Sequence, residues 1–103
     1  MPSAPTPTVR AEKVQGPAGL SAKEHERFGR QLTQEQKYRE AIAELSEAVR
    51  QKPDLATAFN ARGYLYLRLH DTARAAADFN EALRLDPQYQ NARQNLAAVQ
   101  RTH

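Results

Sequence analysis

The chain has 103 residues, 40% hydrophobic and 26% charged, with a formal net charge of +3 and a pI of about 9.5. That length holds one small domain, and the lack of cysteine excludes disulfides, thiolate metal sites and a cysteine nucleophile. No apolar stretch reaches the ~20 residues that span a bilayer, the opening Met1-Pro2-Ser3-Ala4-Pro5-Thr6-Pro7 lacks the apolar core of a signal peptide, and no Lys/Arg run offers a nucleic-acid footprint; a cytoplasmic chain with no membrane and no nucleic-acid partner is expected.

Pro2, Pro5, Pro7, Gly16, Pro17 and Gly19 crowd the start of the chain. With few large apolar groups and no helical period, residues 1–20 cannot bury enough surface to offset their ordering entropy, and they read as a disordered tail or linker. The folded domain, residues 21–103, opens at Ser21-Ala22-Lys23-Glu24, which has the form of a capping box. A first helix is predicted over 22–34 and a turn over 35–37. A second helix is predicted over 38–52, with Ala41, Leu45, Ala48 and Val49 on one face. Pro53 stops it, having no amide to donate. A third helix is predicted over 56–69. Asp71 is the expected N-cap of a fourth over 72–85, which closes before Pro87. A fifth, over 90–101, carries Ala92, Leu96 and Val99 on one side and Arg93, Gln94, Gln100 and Arg101 on the other. One apolar and one polar side is what a terminal capping helix needs.

Gly29 and Gly63, Ala41 and Ala75, Ala48 and Ala82, and Pro53 and Pro87 are each 34 residues apart. A fixed period of this length marks a repeat architecture. The first unit supplies Phe28, Gly29, Leu32, Tyr38, Ala41, Leu45, Ala48 and Pro53; the second supplies Phe59, Gly63, Tyr66, Ala75, Phe79, Ala82 and Pro87. Over residues 22–101 this pattern resembles the tetratricopeptide repeat.

The resemblance implies an all-α fold of five helices, in which antiparallel helix–turn–helix repeats stack as a short right-handed superhelix, an α-solenoid. Repeat 1 would cover 22–55, repeat 2 would cover 56–89, and a capping helix would cover 90–101. The glycines and alanines are expected where helices cross, with Phe28, Leu45, Phe59, Tyr66 and Phe79 filling the space around them. His25 stands where the family prefers an aromatic residue. Gln36 and His70 occupy a turn position that is often glycine, so those turns are expected to be slightly strained. About three repeats are normally needed for stability. Two plus a cap imply a marginally stable monomer, or a weak homo-oligomer formed through the exposed face of the first unit.

No constellation supports catalysis. His25, His70 and His103 lack metal-ligand spacing on one helix face and read as solvated or partly buried. Glu40, Glu44 and Glu47 read as solvent-facing. Both glycines of the structured region fall inside helices, so no phosphate-binding loop is present. No enzyme, no metal and no cofactor is expected.

The resemblance further implies that the first helices of successive units line a concave groove that takes an extended peptide or a partner helix. That face here is Lys23, Glu26, Arg30 and Gln34, then Asn60, Tyr64, Leu67 and Arg68, then Asn91, Gln94, Ala98 and Arg101. Asn60 can donate to and accept from a peptide backbone. Tyr64 offers flat apolar area with a polar end. Arg30, Arg68 and Arg101 offer guanidinium forks for carboxylates. An acidic or C-terminal carboxylate-bearing segment is the expected ligand; the alternative is that these arginines are ordinary solvated surface.

A subset of the family clamps the C-terminal carboxylate of chaperones with lysine, asparagine, asparagine, lysine and arginine. The matching places here are Glu26, Arg30, Ala61, Asn91 and Asn95. Glu26 would repel a carboxylate, so the chaperone clamp is rejected. The expected function is a non-catalytic protein-interaction module, an adaptor or scaffold. The alternatives are a structural, self-associating repeat domain or an accessory domain of a larger protein. An excess of arginine over lysine, with frequent alanine, points to a bacterial source.

Overall fold

A computed structural model describes residues 19–101. The expectations for residues 1–18 of the tail and for His103 therefore lie outside the described residues. Five helices follow one another: α1 Ala22–Gln34, α2 Tyr38–Gln51, α3 Ala56–Arg68, α4 Thr72–Leu85 and α5 Gln90–Arg101. The helices α2 and α3 stop one residue short of the expected ends, and Lys52 and Leu69 serve as their C-caps. Every helix packs on the next. α1 also touches α3, and α3 touches α5, so these three form one continuous face.

Local chemistry sets the ends. The Ser21 hydroxyl accepts from the Glu24 amide at 3.1 Å, and the Ser21 amide donates to Glu24 Oε1 at 2.8 Å, which closes the capping box. Asp71 accepts from the Arg74 amide at 3.2 Å and caps α4 without a reciprocal bond. The helices α1 and α3 end alike. Lys37 N donates to Leu32 O at 2.9 Å and Gln36 N to Thr33 O at 3.0 Å; Asp71 N donates to Tyr66 O at 2.8 Å and His70 N to Leu67 O at 3.0 Å. This is a Schellman motif, which needs a left-handed residue after the C-cap. Gln36 and His70 supply it with φ of 62° and 64°. That conformation is costly for residues other than glycine, so the strain expected at both turns is present.

The core is in two parts. Ala41, Leu45, Ala48, Leu55, Ala58 and Leu65 form the first, between the two units. Ala75, Phe79 and Val99 form the second, with Tyr66, Leu67 and Leu96 against it. Phe79 is fully buried, which stabilises the fold by on the order of 2–3 kcal/mol. Close crossings make this packing possible. A Cβ on Gly29 would lie 2.8 Å from Leu45 Cγ, and one on Gly63 would lie 2.7 Å from Phe79 Cε1.

Two expectations need correction. Phe28 does not fill the core; it is 36% exposed. Its equivalent one period later is Arg62, whose guanidinium reaches back to Ser46 Oγ on α2, 3.1 Å away. That position packs on the preceding unit, and the described residues contain none before α1. Glu44 is not solvent-facing either. Its Oε1 lies 2.7 Å from His25 Nδ1, with both side chains largely enclosed. A polar pair thus joins α1 to α2 at the place where the family prefers an aromatic residue.

Candidate functional site

The helices α1, α3 and α5 shape a concavity of about 480 Å³ lined by Arg30, Thr33 and Gln34 of α1, Asn60, Ala61 and Tyr64 of α3, and Tyr89, Asn91 and Asn95 at α5. Its floor is a carboxamide network. Asn60 Nδ2 donates to Asn91 Oδ1 at 3.1 Å and to Tyr89 Oη at 3.4 Å. Asn95 Nδ2 donates to Asn60 Oδ1 and to Asn91 Oδ1, both at 3.0 Å. Asn60 is only 8% exposed. A buried amide must find such partners or lose stability.

This corrects the role expected of Asn60. Both of its N–H groups and its carbonyl are already engaged within the protein. The spare capacity passes to its partners. The Asn91 side-chain nitrogen and the Asn95 side-chain oxygen take no hydrogen bond among the described residues, and both side chains line the concavity. One donor and one acceptor are thus available where a peptide backbone offers the complementary pair.

The side chains expected to form the groove separate. Arg30, Gln34, Asn60 and Tyr64 line the central concavity. Lys23, Glu26 and Arg30 share a shallower one with Arg27 and Thr57. Glu26 is buried, accepting from Thr57 Oγ1 at 2.5 Å and from Arg30 Nη2 at 3.3 Å. Leu67 and Arg68 lie on a third concavity with His70 and Thr72. The Arg68 guanidinium sits 5.7 Å from the centre of the Tyr38 ring, with Nη2 3.5 Å from its hydroxyl. Cation–π attraction to α2 holds it there, so it does not join Tyr64 as their four-residue spacing implied. Gln94 and Arg101 are exposed and line neither the central nor the Lys23 concavity.

Thr33 and Tyr89 were missed. Thr33 sits beside a named groove position, but Tyr89 precedes α5, where helical periodicity has nothing to say. Ala61, Asn91 and Asn95 do line the groove, at the very places matched to the chaperone clamp. Among the described residues no group of three or more His, Cys, Asp or Glu side chains could hold a metal ion, and no helix is long and apolar enough to cross a membrane.

Comparison with known proteins agrees with this architecture. Residues 29–69 match a family model described as TPR repeat, and residues 56–89 match one described as tetratricopeptide repeat. The Hsp70-Hsp90 organizing protein of Triticum aestivum is 36% identical over 61 residues, which is 59% of this chain. The match spans only 10% of the wheat protein. A solved chain described as the first TPR of Spaghetti (RPAP3) bound to HSP90 peptide SRMEEVD superposes with a TM-score of 0.76 and 26% identity, covering 77% of this chain and 63% of that one. The TPR2B domain of yeast Sti1, solved in a pHsp70 complex, gives a TM-score of 0.77 at 23% identity, over 79% of this chain and 65% of that one, and shares the fold.

Proposed function

The chain belongs to the tetratricopeptide-repeat family, and from that premise we propose that its concave face binds an extended peptide, making it a non-catalytic cytoplasmic adaptor or scaffold. The observation that carries this reading is the carboxamide floor, which leaves the Asn91 donor and the Asn95 acceptor unused in a concavity flanked by Tyr64 and Arg30. Carboxamides pair with any backbone, so they give register without demanding one sequence. Tyr64, 38% exposed, adds apolar contact area.

An acidic segment is the ligand we favour. Among the described residues Arg30 is the one cation lining the central concavity, and the solved neighbour at 26% identity holds the acidic peptide SRMEEVD. The manner of binding differs from a terminal-carboxylate clamp, since Glu26 and Ala61 stand at two of its five places. Calorimetric titration with SRMEEVD and with its C-terminally amidated form tests the reading. Equal binding of the two, lost in Asn91→Ala/Asn95→Ala, is expected. Undiminished binding in that variant would sink the groove, and binding of the free acid alone would restore the clamp.

Exposure of Phe28 favours a second reading, association of two copies through α1. Analytical ultracentrifugation should then show a size that grows with concentration in the parent and not in Phe28→Ser.

A further inference from the structure

The cations of this protein are unevenly committed. Arg50, Arg74 and Arg84 each pair with an acidic residue three positions earlier, Glu47, Asp71 and Glu81. Arg93 donates to the Pro87 carbonyl at 2.5 Å. Around the outer turns of α1 the balance is different. Lys23, Arg27 and Arg30 recur at spacings of four and three residues, which puts them on one helix face. All three are exposed, and all three line one shallow concavity of about 350 Å³ with Glu26 and Thr57.

Neither Lys23 nor Arg27 makes an ion pair or hydrogen bond among the described residues. The acids nearby are spoken for. Glu26 is buried beneath the cluster and accepts from Thr57 and Arg30. Glu24 is turned back on the Ser21 amide at 2.8 Å, although Arg27 still acts on it through space. Of the three cations only Arg30 is paired with this enclosed acid. Arg30 also lines the central concavity, so the cluster continues the groove at its α1 end.

We propose that Lys23, Arg27 and Arg30 form an anion seat at the α1 rim of the concave face, which takes the carboxylate side chains of an acidic peptide segment. The ligand class rests on the groove reading above; the seat itself rests on the cluster. Its chemistry differs from a clamp on a chain terminus. The charge sits at the rim of the concave face, on long flexible stems, and it meets side chains rather than one terminal carboxylate. Glu26 remains below as the acceptor that holds Arg30 and Thr57 in place. Because the seat is exposed, its contribution is screened by salt.

An NMR titration of the isotope-labelled full chain with hexaglutamate tests this, with hexaglutamine, inorganic phosphate and a single-stranded oligonucleotide as comparison probes. The backbone amides of Lys23, Arg27, Arg30 and Thr57 should shift together with hexaglutamate and not with hexaglutamine. The apparent affinity should weaken by about fivefold in Lys23→Gln/Arg27→Gln, a loss typical of two exposed ion pairs. Both residues are exposed, so the variant should fold. Shifts at Asn91 and Asn95 without any at the α1 cluster would overturn the seat and leave the groove standing. Shifts at the cluster without any in the groove would support the seat and count against the groove. Equal shifts at Arg50 and Arg84, a response to phosphate or the oligonucleotide but not to hexaglutamate, or no response at all would each overturn the seat.

Discussion

Arg62 grips Asp78 through two parallel hydrogen bonds, Nε to Oδ2 and Nη2 to Oδ1, each 2.8 Å long. The pair joins α3 to α4, and the remaining Nη1 reaches Ser46 on α2 at 3.1 Å. One guanidinium thus ties three helices across the boundary between the units. Hydrogen bonding to Asp78 raises the pKa of Arg62 above its ordinary value, so the cation is present at every accessible pH. Asp78→Ala would leave that charge partly buried without its partner, at a cost of about 3 kcal/mol. Urea midpoints should fall accordingly, and Asp78→Asn, which keeps the shape, should lose less. An unchanged midpoint in Asp78→Ala would show that the pair contributes nothing.

The crossing at Gly63 makes a second stability prediction. A Cβ there meets Phe79 Cε1 at 2.7 Å, Phe79 Cδ1 at 2.9 Å and Asp78 Cβ at 3.0 Å. Phe79 is fully buried and cannot swing aside. Gly63→Leu should cost on the order of 1–3 kcal/mol through overpacking. Gly63→Ala combined with Phe79→Leu should recover part of the loss of Gly63→Ala alone, as read from thermal melts. Additive effects of the two changes would argue against direct contact.

Acid should destabilise the fold through its caps and helix-surface pairs. Hydrogen bonds from Arg50, then Gln51, lower the Glu47 pKa from 4.5 to about 2. The Arg74 side chain and then its amide hold Asp71 below its ordinary value, and the Ser21 amide and then its hydroxyl do the same for Glu24. Each folded pKa lies below the unfolded one, so the stabilisation is complete above the unfolded value and is lost as pH falls through the folded one. The melting temperature should drop between pH 4.5 and about 2. Glu47→Gln should drop less across that window. An identical pH profile in the variant would remove Glu47 from the account.

The groove should distinguish Tyr64 from Arg68. Tyr64 lines the central concavity and Arg68 does not, being held over Tyr38. Tyr64→Ala should weaken binding of SRMEEVD severalfold, with little change in stability because the ring is 38% exposed. Arg68→Ala should leave affinity nearly unchanged. Equal losses from both variants, measured by titration calorimetry, would return Arg68 to the groove.

The elements of this fold were legible in the sequence because their causes are local. Ser21 and Glu24 close their box within one helical turn, Pro53 cannot donate wherever it stands, and Gly29 and Gly63 recur at the period that brings helices together. Helices were therefore readable to within a residue, as were the strained turns at Gln36 and His70. The family resemblance implied a concave side carrying Arg30, Gln34, Asn60 and Tyr64, and these four line one concavity.

Only the tertiary structure decided what those side chains do there. The Asn60 amide is consumed by Asn91 and Asn95, more than 30 residues away. Arg68 turns to Tyr38, His25 finds Glu44, and Phe28 stays in the open. A helical period fixes the direction in which a Cβ points. It does not fix the end of a long or polar side chain, which goes to whichever partner on another helix satisfies it best, and that choice exists only once the helices have packed.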